Sequence, residues 1–282
     1  MKWTDILKTW WQQQKAFLPE LRAQAARYAP IDQASLLPER VMEESQPIFV
    51  LSTGRAGTQY LTELLNELPG LQAVHEPQPE LLYTSRWAYE QRGKTDLLEA
   101  AFLAARYEFI RNAHLSGLRY VETNNRLCFL ADGIAKAFPK ARFIHLVRHP
   151  EAFIRSGLQR KWYSDAHLTD EGRIQPPEEL GLTHTSEKIA WLWNETNSSI
   201  AAFGERVGSE RYLQVRSEDL FADTGVNRRL FSFMDEAYPG DERILRAQNQ
   251  PRNQSKKTLS KQPLEGHWKE PLSFARSMGY AL

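Results

Sequence analysis

Two short segments of this chain combine residue types and spacings that suit the gripping of phosphate-like anions. The first is Ile48-Phe49-Val50-Leu51-Ser52-Thr53-Gly54-Arg55-Ala56-Gly57-Thr58-Gln59-Tyr60-Leu61, an apolar β-prone run feeding a turn with two glycines that then opens a helix. Such a turn aims several backbone N–H groups and a helix N-terminus at one spot, where an anion is favoured. It is not a Walker loop, which needs Gly-x-x-x-x-Gly-Lys-Ser/Thr. Five residues beyond Gly54 stands Gln59, and no lysine follows either glycine. The second segment, residues 142–157, reads as a buried strand over Phe143–Val147, then a turn, then a helix started by Pro150. Arg148 stands at the strand's C-terminal edge and Ser156 eight residues on, two helical turns away. An arginine fork joined by such a hydroxyl is a recurring phosphate clamp.

Together the two segments resemble the sulfotransferases that use 3′-phosphoadenosine 5′-phosphosulfate (PAPS), in which the first loop grips the 5′-phosphosulfate and an Arg-x7-Ser pair the 3′-phosphate. The family's loop has Lys or Arg, then Ser-Gly-Thr-Thr. Here Arg55-Ala56-Gly57-Thr58-Gln59 is the same frame with two hydroxyls replaced. The resemblance implies that Arg55, Ala56, Gly57, Thr58, Gln59 and Tyr60 hold the cofactor together with Arg148 and Ser156, and that 3′,5′-diphosphoadenosine (PAP) is the product. It implies no metal. A C-terminal basic segment closes over the nucleotide in the family, which adds Arg252, Lys256 and Lys257 as candidates; Gly266-His267-Trp268-Lys269 resembles the Gly-Asp-Trp-Lys that follows it. Leu213-Gln214-Val215-Arg216-Ser217-Glu218-Asp219-Leu220 resembles the family's Val-Arg-Tyr-Glu-Asp-Leu, with Ser217 in place of the tyrosine that contacts adenine. Glu218 and Asp219 are expected to cap the next helix.

Sulfuryl transfer requires a cradle for the leaving phosphate, a cation near the bridging oxygen and a base for the acceptor hydroxyl. The resemblance gives the cation's role to Arg55. In the histidine-dependent branch the base lies in Lys-Thr-His after a middle strand, but this chain has Glu122-Thr123-Asn124 there. Asparagine accepts no proton at neutral pH. The glutamate-dependent tyrosylprotein and carbohydrate branches point instead to His75-Glu76-Pro77, with Glu76 twenty-one residues beyond Arg55. Glu76 is the candidate base, His75 the second and Glu122 the third. Trp162 and Tyr163 are candidate walls of an acceptor pocket, and Trp191, Trp193 and Cys128 are expected in the core.

The surrounding pattern supplies the scaffold. Strands are expected at Leu71–Val74, Leu118–Glu122, Phe143–Val147 and Tyr212–Arg216 besides the first, alternating with helical stretches, one of which runs from Glu80 to about His114 and breaks near Gly93. That alternation predicts an α/β fold, a P-loop-like three-layer sandwich around a central, mostly parallel sheet. Residues 1–45 read as an N-terminal helical extension with an apolar stripe at Trp3, Ile6, Leu7, Trp10 and Trp11, residues 46–282 as the sulfotransferase domain, and residues 172–185 as a surface loop or lid.

The net charge of +1 carries no nucleic-acid signature, the single cysteine excludes an internal disulfide, and neither a signal peptide nor a membrane span is legible. A cytoplasmic protein with a small-molecule or carbohydrate acceptor is expected; nothing in the sequence bears on its oligomeric state. The rivals are a P-loop kinase of a small hydroxyl compound, which would need a Walker lysine and an acidic Mg²⁺ ligand, and a catalytically idle nucleotide-binding protein.

Overall fold

The computed structural model describes residues 37–164, 172–242, 244, 263–264 and 266–281. The N-terminal tryptophan stripe and the basic residues 252, 256 and 257 lie outside them. Helix α1 (Pro38–Glu44) begins at Pro38, whose fixed φ suits a first helical position. Strand β1 (Ile48–Leu51) follows, then α2 (Thr58–Leu65), β2 (Leu71–His75), α3 (Leu82–Glu90), α4 (Thr95–Leu115) and β3 (Arg119–Thr123). A 3-10 turn at Asn125–Leu130 leads to α5 (Ala131–Ala137), β4 (Arg142–Val147), α6 (Pro150–Gln159), α7 (Thr185–Val207), β5 (Tyr212–Arg216), α8 (Ser217–Ala222) and α9 (Thr224–Phe233). The expected helix break is real: Gly93 takes a left-handed φ of 84° between α3 and α4.

The five strands form one sheet in the order β2-β3-β1-β4-β5, and every neighbouring pair is parallel. Because β1 is central, its four residues are all buried, which is why it reads as an unbroken apolar run. Ile48 and Val50 face a layer built on α2, α8 and α9, with Leu61, Leu65, Leu220 and Phe231. Phe49 and Leu51 face the opposite layer, with Phe102 of α4, Ile134 of α5 and Phe203 of α7. The three-layer sandwich is therefore the observed fold. A third cluster joins α6, α7 and the C-terminal segment through Phe153, Trp193, Leu272 and Tyr280. Trp191, Trp193 and Cys128 are buried, as expected. No helix among the described residues is long and apolar enough to cross a membrane.

After β1 the chain winds to one side, through β2 and β3, and then returns to lay β4 and β5 on the other side of β1. The connections leaving the adjacent strands β1 and β4 thus diverge and open a crevice at their C-terminal ends, where parallel α/β sheets bind ligands. The turns that carry Arg55 and Arg148 lie there.

One buried polar group braces β4. His145 is wholly buried; Nδ1 lies 2.6 Å from the Tyr212 hydroxyl and Nε2 lies 2.9 Å from Asn197 Oδ1. Asn197 Nδ2 donates to the Trp193 carbonyl, so its Oδ1 faces the ring and the neutral Nε2–H tautomer satisfies the network. Burial pushes this imidazole down from 6.5 to about 4. The folded state resists a proton that the unfolded chain takes up below pH 6.5, so stability is full above that pH and falls as the pH drops toward 4, by up to about 1.4 kcal/mol per pH unit. Urea denaturation of His145→Gln across that range is expected to show a slope shallower by close to one proton.

Candidate functional site

The turn after β1 is pinned from two directions. Ser52 Oγ accepts from Gly54 N at 3.0 Å, and the Ser52 carbonyl accepts from Cys128 Sγ at 3.2 Å. On the other side the Ser217 hydroxyl donates to the Ala56 carbonyl. Gly54, Arg55 and Gly57 all have left-handed φ, of 80°, 58° and 87°, which folds the backbone into a concave nest. Gly57 caps α2, whose first helical bond runs from Leu61 N to the Gly57 carbonyl. The N–H groups of that first turn have no acceptor within the helix. Only glycine fits here, since a Cβ would sit 2.9 Å from Phe221 Cε2 besides the strain of its φ.

The second segment meets this nest directly. Arg148 Nη1 donates to the Arg55 carbonyl at 2.8 Å, and Arg55 Nε reaches Ser156 Oγ at 3.4 Å. Trp193 Nε1 holds the Arg148 carbonyl at 2.9 Å, while Glu218 takes the His149 N–H at 2.8 Å and the Tyr280 hydroxyl at 2.9 Å, fixing the entry to α6. Asp219 instead pairs with Arg216. The acidic pair of α8 therefore braces the neighbouring strand ends, and neither side chain caps its own helix.

Arg55 and Arg148 are partly desolvated, and burial is the leading cause that holds both guanidiniums below their usual range; Arg160 and Arg148 then repel the charge of Arg55. Among the described residues neither Arg55 nor Arg148 forms an ion pair. An exposed Arg55 and a partly buried Arg148 beside a concave nest of N–H donors make a site suited to an anion.

Glu76 follows β2, near enough for its charge to favour the ionised form of Arg55. It takes a left-handed φ of 44°, donates its N–H to the Thr123 carbonyl at 3.1 Å, and keeps its side chain one-third exposed. Arg126 Nη1 approaches its Oε2 to 3.4 Å. His75 is exposed, and its Nδ1 lies 2.8 Å from Thr123 Oγ1, which itself bonds Thr62 Oγ1 at 2.6 Å. That leaves Nε2 on the open side. Glu122, the third candidate base, is corrected: it is wholly buried, with its oxygens held by Arg106 Nε at 3.0 and 2.9 Å, by the Tyr120 hydroxyl at 2.8 Å and by Asn124 Nδ2 at 2.9 Å. A carboxylate so committed is structural.

Tyr60 is 2% exposed, its ring covered by Phe221 at a centroid distance of 4.7 Å. Its ring has no open face, whereas Phe221 is 37% exposed. Trp162 packs at a tilt against Phe153 and carries Arg173 at 4.4 Å over its ring, and the Tyr163 hydroxyl donates to the Ile174 carbonyl at 2.7 Å. The start of the 172–185 loop is thus tied to the end of α6. Gly266 and His267 dock on the start of α7, where the Glu187 carboxylate accepts the N–H groups of His267, Thr183 and His184.

Sequence reasoning did not single out Arg126, Phe221 or Arg160. Arg126 follows the Glu122-Thr123-Asn124 motif by two residues and Phe221 follows Ser217 by one helical turn, but neither spacing has meaning until β3 and α8 are placed.

The sulfotransferase family model matches residues 47–240. The chain belongs to the sulfotransferase family. Its transferase fold is also similar to two solved structures, a sulfotransferase domain from the curacin biosynthetic pathway (17% identity, TM-score 0.54, 85% of this chain and 99% of that one) and one from the olefin synthase of Synechococcus PCC 7002 (20% identity, TM-score 0.54, 85% and 97%). At such identities the likeness concerns the fold. No curated protein sequence matches this family member.

The nest predicts its own mutational signature. Gly57→Ala is expected to lower stability by about 1–2 kcal/mol through the left-handed strain and the overlap with Phe221. Gly70→Ala, at a position where a Cβ meets nothing within 4 Å, serves as the neutral control in thermal unfolding.

Proposed function

We propose that this family member is a PAPS-dependent sulfotransferase that passes a sulfuryl group to a hydroxyl of a small molecule or carbohydrate by in-line displacement. The observation that carries this reading is the joining of the two anion-gripping segments into one site, with Arg148 Nη1 on the Arg55 carbonyl at 2.8 Å and Arg55 Nε on Ser156 Oγ at 3.4 Å. A nucleotide with phosphates at both ends of its ribose needs two such grips at a short separation.

The residues present fit the nucleotide. The nest of Arg55, Ala56, Gly57, Thr58, Gln59 and the Tyr60 backbone would hold the 5′ end, and Arg148 with Ser156 the 3′-phosphate. Because the Tyr60 ring is covered, the exposed face of Phe221 is the apolar platform left for the adenine in place of the missing tyrosine. Arg252, Lys256 and Lys257 would close over the nucleotide from the C-terminal segment.

When bound, PAPS supplies an activated sulfuryl group whose bond to the bridging phosphate oxygen breaks as the acceptor oxygen forms its own. Arg55 would supply the positive charge that stabilises the departing oxygen, and its partial desolvation would strengthen that interaction. Glu76 takes the hydroxyl proton as the acceptor attacks; Arg126 restrains its carboxylate. His75 is the alternative acceptor of that proton, through Nε2. The kinase reading is disfavoured by the absence of a lysine from the first loop and by the arginine that ends β4.

Calorimetry tests the cofactor. PAP is expected to bind at micromolar affinity or tighter, about −8 kcal/mol, without Mg²⁺; binding of ATP that requires Mg²⁺, with none of PAP, would overturn the reading. Arg148→Ala should weaken PAP by roughly 10- to 150-fold, the worth of a charge-assisted bond, and Phe221→Ala by a comparable factor from lost base stacking.

Glu76→Gln should lower turnover by about 10²- to 10⁴-fold, the usual share of general-base catalysis, with PAP affinity intact. The acceptor for that assay comes from a screen of hydroxylated small molecules and sugars with radiolabelled PAPS. Near wild-type turnover in Glu76→Gln, paired with collapse in His75→Gln, would transfer the base role to His75.

A further inference from the structure

Arg106 of α4 and Glu122 of β3 are both wholly buried, and the transfer scheme uses neither. A buried ion pair is a poor source of stability, because desolvating both charges offsets their attraction and apolar residues of equal volume often serve as well. What this pair does that apolar residues would not is hold backbone. Arg106 Nε spans the two Glu122 oxygens, while Nη2 of the same fork donates to the Pro77 carbonyl at 3.1 Å and to the Pro79 carbonyl at 3.0 Å.

Pro77 is the residue after Glu76. Prolines at 77 and 79 remove two N–H donors from this segment, so its carbonyls are the handles by which it can be tied down. On the other flank the Glu76 N–H is held by the Thr123 carbonyl. Thr123 is the strand neighbour of Glu122, whose carboxylate is locked in turn by Tyr120 and Asn124. Glu76 itself has a left-handed φ of 44°, a conformation that a glutamate keeps only when its surroundings impose it.

We propose that Arg106 is a positioning residue for Glu76. Oriented by Glu122, its guanidinium fixes the Pro77 and Pro79 carbonyls and so aims the proton-accepting carboxylate into the crevice. The inference rests on the reading of Glu76 as the base. Only an arginine fills the role, since the planar fork serves a carboxylate and two carbonyls at fixed angles, whereas a lysine offers a single ammonium.

The decisive experiment places Arg106→Lys in both the wild-type and the Glu76→Gln background. Transfer is read with radiolabelled PAPS and the acceptor found by the screen, and also as PAPS hydrolysis with water as acceptor. In the wild-type background turnover is expected to fall about 10- to 100-fold, the usual effect of a misplaced catalytic group, with the Kd for PAP within about twofold. In the Glu76→Gln background the residual single-turnover rate is expected not to fall further, because nothing is left to aim. A general loosening of the fold would instead reduce rate and PAP affinity in both backgrounds.

Tyr120→Phe, which removes one hydroxyl from Glu122 without adding volume, is expected to follow the same pattern with a smaller loss, and keeps the test available if Arg106→Lys does not fold. Wild-type turnover in Arg106→Lys, or equal losses in the two backgrounds, would overturn the inference. An inert Glu76→Gln beside a fully active Arg106→Lys removes this inference alone, whereas a fully active Glu76→Gln removes the base reading along with it.

Discussion

The site depends on the adjacency of β1 and β4, expressed in the hydrogen bond from Arg148 to the Arg55 carbonyl. Parallel neighbours in a sheet lie about 4.8 Å apart, so loops leaving their C-terminal ends start side by side. Because one connection turns toward β2 and the other toward β5, the two loops separate above the sheet and leave a crevice between them. Arg55 and Arg148 enter that crevice as like charges, each partly stripped of water. Such a pair is tolerable because the surrounding contacts are over-determined. Ser217 holds Ala56, Trp193 holds Arg148 and Glu218 holds His149, so the backbone does not relax away from the repulsion.

Polar groups buried elsewhere serve the same end. His145 links β4 to α7 and β5 through Asn197 and Tyr212, and stays neutral to do so. Glu122 is ionisable and central, which made it a reasonable base candidate, yet its oxygens are filled by Arg106, Tyr120 and Asn124. Nothing in a linear sequence separates a buried carboxylate that is satisfied from one that is free to accept a proton. The difference lies in residues that α4 and β3 bring together across sixteen positions, as Arg106 and Glu122 are.

The aromatic arrangement around α2 follows similar logic. Ser217 stands where the family motif has a tyrosine, so no ring projects from that position, and the serine hydroxyl is spent on the Ala56 carbonyl. One turn further along α8, Phe221 lies over Gly57 and Tyr60, where the missing Cβ of the glycine leaves room for it. Tyr60, which the motif frame placed among the cofactor residues, is covered by that ring. Ser217 and Phe221, four residues apart on α8, share one face of that helix, and both reach the turn after β1.

By itself the sequence determined the parallel α/β architecture, the strand at Tyr212–Arg216 to the residue, the break at Gly93 and the two strand-turn-helix segments that carry Arg55 and Arg148, because those features are local: an apolar run, a glycine able to take positive φ, a proline opening a helix. Strand ends elsewhere shifted by one residue, as at β3, where pairing with β2 decides the boundary. Only the tertiary structure decided that the two segments share one crevice, that Glu122 is committed and Glu76 accessible, and that Arg106, Arg126 and Phe221 belong beside them. Those are long-range facts, fixed by which strands lie adjacent and which helix faces close on them, and a carboxylate or ring acquires its role from neighbours far away along the chain.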